Sequence, residues 1–123
     1  MKRHCAIAAL LVQGLLVGAP ALAEPPASVQ NEVNFLLGSI ERSGCEFYRN
    51  GTWHNSSAAQ LHLRQKYEYL VGRNLINSTE SFIESAATES SFTGQAYEVR
   101  CVGSVAVRSN QWLREALARY RAG

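Results

Sequence analysis

From residue 29 the apolar side chains fall at Val29, Val33, Leu36, Leu37 and Ile40, with Gln30, Asn31, Glu32, Ser39 and Glu41 between them. That spacing puts one apolar stripe on a helix, for which Ser28 is the expected N-cap and Gly44 the expected stop. After Cys45 the pattern shortens and turns aromatic, Phe47-Tyr48-Arg49-Asn50-Gly51-Thr52-Trp53-His54. Asn-Gly between two β-forming triplets predicts a hairpin, because both turn residues must take positive φ. A second helix follows, with Ser57 and Gln60 spaced as a capping box and Ala59, Leu63, Tyr67, Leu70 and Val71 as its apolar stripe, ending near Gly72. A shorter third helix opens at Asn77 with Glu80, or at Ser78 with Ser81, and buries Phe82, Ile83, Ala86 and Ala87.

Ser90, Ser91, Thr93 and Gly94 read as a polar loop. Tyr97 to Val102 alternates with period two, so that Tyr97, Val99 and Cys101 share one face of a strand and Glu98 and Arg100 the other. Ser109 is then placed to cap a last helix whose apolar face is Trp112, Leu113, Ala116, Leu117 and Tyr120, with Arg119 and Arg121 near its C-terminus. The order αβ(β)ααβα predicts an α+β fold, a small antiparallel sheet of two or three strands packed with about four helices.

The chain opens differently. Met1-Lys2-Arg3-His4 is basic, the run from Cys5 to Ala19 is almost wholly apolar, and Ala21-Leu22-Ala23 supplies the small-x-small pattern of a signal-peptidase site. The run is shorter than the ~20 residues a membrane span needs. Residues 1–23 are therefore expected to be a cleaved signal peptide, leaving residues 24–123 as one small α+β domain that is exported and has no membrane span.

Cleavage changes the charge balance. It takes Lys2 and Arg3 from 12 basic residues and leaves 10 against 10 glutamates, a formal charge of zero. That speaks against a nucleic-acid partner, which needs an excess of Lys and Arg. Cleavage also leaves Cys45 and Cys101 as an even pair in an oxidising compartment, where they are expected to form a disulfide. With Cys45 opening the first strand and Cys101 in the last, the bond would clip strand to strand, closing a long loop and stabilising the fold by about 4 kcal/mol.

The chain contains no Asp, which excludes an EF-hand loop, an aspartic-protease dyad and a Ser-His-Asp triad. His54 and His62 match no standard metal spacing, so no metal and no cofactor are expected. The available enzyme reading is an envelope hydrolase or thiol enzyme that uses Cys45 or Glu68 with His54 or His62, and the disulfide works against its thiol form. Sequons at Asn50, Asn55 and Asn77 each coincide with a turn or a helix start, which explains them without sugar. Tyr48, Trp53, Tyr69 and Tyr97 are interleaved with Arg49, Arg64 and Arg100, residue types that dominate binding hot spots. Tyr48, Arg49, Trp53, His62, Arg64 and Arg100 form the candidate binding patch, and the hairpin tip is its most rigid part.

Five separated motifs carry a resemblance: Gly44 to Gly51, His62 to Tyr67, Phe82-Ile83-Glu84, Ser90 to Cys101, and Trp112-Leu113 with Tyr120-Arg121. Together they resemble the YfeK-like family of small exported bacterial proteins, a domain of unknown function, over about residues 29 to 121. The resemblance implies a Gram-negative periplasmic address and no glycosylation, and it brings no activity and no catalytic residue. Packing does not demand Arg49, His62, Arg64, Lys66, Glu84 or Arg100. Several of these in one patch would suit an anionic or carboxylate-bearing partner, such as a cell-wall component or another envelope protein.

Overall fold

A computed structural model describes residues 24–123. The expected signal peptide, residues 1–23, lies outside the described residues. The elements run α1 (Ala27–Arg42), β1 (Glu46–Arg49), β2 (Thr52–Asn55), α2 (Ser56–Val71), α3 (Thr79–Ala86), β3 (Glu98–Arg100), β4 (Val107–Arg108) and α4 (Ser109–Ala122). The strands form one antiparallel sheet in the order β2-β1-β3-β4. The α+β class holds, but the sheet has four strands where two or three were expected. The addition is β4, a two-residue strand that pairs Val107 with Val99 and Arg108 with Glu98. It is too short to carry a period-two signal of its own.

Asn50 and Gly51 take φ of 51° and 90°, as a type I′ turn requires, and lock the β1–β2 register with Tyr48 opposite Trp53 and Phe47 opposite His54. Side chains alternate along β1, so Phe47 and Arg49 share the inner face while Glu46 and Tyr48 share the outer one. On the inner side the helices enclose a core of Val33, Leu36, Leu37, Ile40, Phe82, Ile83, Val99 and Leu113. Edge-on ring contacts bind the layers, Phe47 to Trp112 at 5.9 Å and Tyr67 to Phe82 at 5.5 Å. Cys45 and Cys101 are bonded, with Cα atoms 4.4 Å apart. The pair extends the β1–β3 register one step beyond Glu46 and Arg100. Cys101 thus follows β3 and is not in the last strand.

Three expected caps move. Pro26 occupies the N-cap of α1 in place of Ser28. Asn55 caps α2 by accepting from the Ala58 amide, so Ser57 and Gln60 form no box there. Arg108 stands at the N-cap of α4, and Ser109 is its first helical residue, buried with its amide donating to the Tyr97 carbonyl at 2.9 Å. In the last two cases a strand runs straight into a helix, which shifts the start to the strand's final residue. The Ser78 and Ser81 capping box of α3 forms reciprocally, as one of the expected alternatives had it.

One ion cluster ties three helices together. Arg121 on α4 donates to Glu32 on α1 at 2.8 and 2.9 Å and to Glu80 on α3 at 2.7 Å, and Thr79 donates to Glu32 at 2.6 Å. The Arg121 and Thr79 hydrogen bonds hold the Glu32 carboxyl at about 2, below its ordinary 4.5. Its stabilising effect is therefore complete above pH 4.5 and is lost as pH falls toward 2. Glu32→Gln is expected to lower stability by about 1–2 kcal/mol at neutral pH, after allowing for solvent around Arg121. Urea unfolding across acid pH should show the difference between the two proteins shrinking through that window.

Candidate functional site

Alternation along β1 splits the candidate binding patch between two faces. On the outer face Arg100 meets the Glu46 carboxylate at 2.8 Å and lies 4.0 Å over the Trp53 ring, while Tyr48 and Trp53 contact edge-on at 5.3 Å. The charge of Arg100 is thereby balanced by Glu46, and its guanidinium is sandwiched into a cross-strand stack. Trp53 is half-buried in that stack. Arg49 lies on the other side, next to the turn and facing α2.

There α2 presents His62 and Lys66, one helical turn apart on the same flank. Both reach the hydroxyl of Tyr97. Lys66 Nζ donates to Tyr97 Oη at 3.1 Å and to the Glu89 carbonyl at 3.4 Å, and His62 Nε2 lies 3.3 Å from the same Oη. With Lys66 donating to the phenol oxygen, the phenol O–H is left to donate to His62 Nε2, which puts the imidazole proton on Nδ1. Tyr97 is only 6% exposed, so its ring is core, while its hydroxyl meets His62 and Lys66 at the groove. Arg49, His62, Lys66 and Tyr97 line a concavity of about 370 Å³, and an adjoining one of about 260 Å³ shares His62, Lys66 and Ser91 and continues to Tyr69 and Leu70.

The far wall of the larger concavity is the loop between α3 and β3. Ser90, 3% exposed, organises it. Its Oγ accepts from the Phe92 and Thr93 amides at 3.1 and 3.3 Å and from Asn50 Nδ2 at 3.1 Å, and Thr93 Oγ1 donates to Asn50 Oδ1 at 2.7 Å. The hairpin tip is thus fastened to this loop through Asn50. The turn residue serves as a strut of the groove, and its neighbour Arg49 carries the charge.

The electrostatics follow from burial and crowding. Desolvation, with Arg49, Lys66 and His54 adding their charges, holds the His62 imidazole down to about 4, so it is neutral at pH 7. Lys66 is pulled below the ordinary lysine range by burial and by Arg49, against an opposing pull from Glu89. Burial raises the Tyr97 phenol, an effect Arg49 partly offsets. Among the described residues, neither Arg49 nor Lys66 joins an ion pair with a carboxylate, whereas Arg100, Arg114 and Arg121 each do. The groove thus holds two cations with no ion-pair partner among the described residues.

The remaining candidates lie elsewhere. Arg64 is two positions from His62 on α2, about 200° around the helix by its ~100° per residue, and is not in the cluster. His54 is opposite Phe47 and lines with His62 a small recess of about 30 Å³, room for about two waters. Cys45 is spent in the disulfide and offers no thiolate, and Glu68 is exposed on α2. Among the described residues no group of three or more His, Cys, Asp or Glu is placed to hold a metal ion, and no helix is long and apolar enough to cross a membrane. Lys66 stands outside the hairpin-centred candidate patch, though the sequence counts it among the residues that packing does not demand. It is the one lysine beyond residue 23, set four positions after His62, and that spacing is the signal that would have placed it.

Comparison with known proteins gives a consistent result. A family of unknown function, DUF5329, matches residues 27–121. The Uncharacterized protein YfeK of Salmonella typhimurium is 36% identical over 97 residues, covering 78% of this chain and 75% of the relative. No solved structure matches. The match runs from the first turn of α1 to the last turn of α4, so the groove, the outer stack and the disulfide all lie within it, and the chain belongs to this YfeK-like family of unknown function.

Proposed function

We propose that the chain is an exported, periplasmic binding module without catalytic activity, which captures an anionic partner of the cell envelope in the groove between α2, the hairpin tip and the α3–β3 loop. The partner is a cell-wall component or an envelope protein that presents a carboxylate or phosphate. The observation that carries this reading is the meeting of Arg49, Lys66 and His62 in one concavity, the last two at the Tyr97 hydroxyl, with no carboxylate ion-paired to either full cation among the described residues. Guanidinium and ammonium groups held partly out of water bind an anion more strongly than they would on an open surface, since their own hydration is already reduced. The basic, apolar and small-residue run of residues 1–23 supports export, and the disulfide is compatible with an oxidising compartment.

Titration of residues 24–123 with sulfate, followed by amide and imidazole resonances, tests the reading. Shifts should concentrate at Arg49, His62, Lys66, Ser91 and Tyr97 and saturate. Absence of saturable shifts at these positions, in chloride of matched ionic strength and in sulfate alike, would overturn it.

A further inference from the structure

Phe92 is 96% exposed, and it stands on the wall of the concavity that Arg49, His62, Lys66 and Tyr97 line. Its backbone is anchored, because its amide donates to Ser90 Oγ and the Gly94 amide donates to the Ser90 carbonyl at 3.0 Å. Ser90 in turn donates its amide to the Gln95 carbonyl at 2.9 Å and receives Asn50 from the hairpin. The loop therefore presents the ring to water beside a cationic centre and keeps it from folding back onto the core. Tyr69 and Leu70 line the adjoining concavity, which shares His62, Lys66 and Ser91 with the first. A bare inorganic anion would fill the centre and leave the Phe92 ring in water.

We propose that the groove takes an anion whose charge is flanked by a flat apolar group, an arylacetate in the simplest case, with Phe92 as the stacking surface. The inference rests on the anion-binding reading and narrows it to a ligand class. A phenyl ring has two side-chain torsions to fix, so ordering Phe92 against a ligand costs little. An offset stack adds selectivity over a carboxylate with no ring, and the expected preference is about 3- to 10-fold.

Acetate and phenylacetate, equally charged at neutral pH, separate the two claims when each is titrated calorimetrically into the wild-type protein, Phe92→Ala and Phe92→Tyr. The expected result is tighter binding of phenylacetate by the wild type, loss of that preference in Phe92→Ala with acetate affinity unchanged, and its retention in Phe92→Tyr. Since Phe92 is almost wholly exposed, the thermal midpoint should not move, which reports that the variant is folded. Equal affinity for both probes in the wild type would overturn the aryl preference and leave the anion reading standing. A preference that survives in Phe92→Ala would overturn the assignment to Phe92. No binding of either probe would overturn both.

Discussion

Replacing Cys45 and Cys101 together by alanine is expected to remove about 4 kcal/mol of folding stability, most of it by releasing the unfolded chain from a loop closure. The bond joins residues 56 positions apart, so it encloses β1, β2, α2, α3 and β3 and, among the described elements, leaves α1, β4 and α4 outside. A domain of this size has a total of about 5–15 kcal/mol to lose, and the change is therefore large. The bond also continues the β1–β3 ladder, with its Cα separation of 4.4 Å close to the ~4.5 Å of a non-hydrogen-bonded antiparallel pair. Urea unfolding with and without reductant measures the effect. Protein exported to an oxidising compartment, denatured without reduction, should show no free thiol, whereas two thiols per chain would remove the staple and return Cys45 to consideration as a nucleophile.

The second large effect is on binding. Lys66→Ala and Arg49→Ala are each expected to weaken sulfate or carboxylate capture by about 10- to 100-fold, the usual consequence of deleting one charge-assisted donor from a sheltered site. Stability should change little in Lys66→Ala, because the variant also removes a partly buried charge that Arg49 repels. Arg100→Ala is the control on the outer face, where Glu46 already holds that guanidinium. Arg64→Ala is the control on α2. Calorimetric titration of the four variants should separate them into two that lose binding and two that keep it; a loss spread evenly over all four would mean that no defined groove exists.

Local chemistry made much of the fold legible. Asn50-Gly51 named its own turn, Ser78 with Ser81 named its own cap, and the alternation of Tyr97, Val99 and Cys101 against Glu98 and Arg100 gave the inner and outer faces of β3. The misses beyond α1 share one cause. Asn55, Ser56 and Ser57 are all good capping residues, and the choice among them was made by β2 running directly into α2, a tertiary matter. β4 exists because Val99 offers Val107 a partner, not because Val107 and Arg108 form a strand by themselves.

The site was legible in type but not in grouping. Arg49 and His62 do meet, while Tyr48, Trp53 and Arg100 assemble on the other side of the same sheet. Adjacent residues on β1 point to opposite faces, and only the packing of helices on one of them decides which becomes a groove. Tyr97 shows the same limit. Its place on the apolar side of the alternation that leads into β3 marks it as core, yet its hydroxyl is the atom around which His62 and Lys66 gather.

An imidazole titration decides whether an anion sits among Arg49, Lys66 and His62. Alone, His62 should protonate only near pH 4, held down by burial and by the cations of β1 and α2. Sulfate stays dianionic across the window from about pH 4 to 6.5 in which the ring titrates. Bound beside the ring, it would offset those cations and favour the charged imidazole. The midpoint measured by proton or nitrogen resonances should then rise from about 4 toward 6.5 in saturating sulfate, and stay near 4 in chloride at the same ionic strength. A midpoint that remains near 4 in both salts would contradict anion capture in this groove.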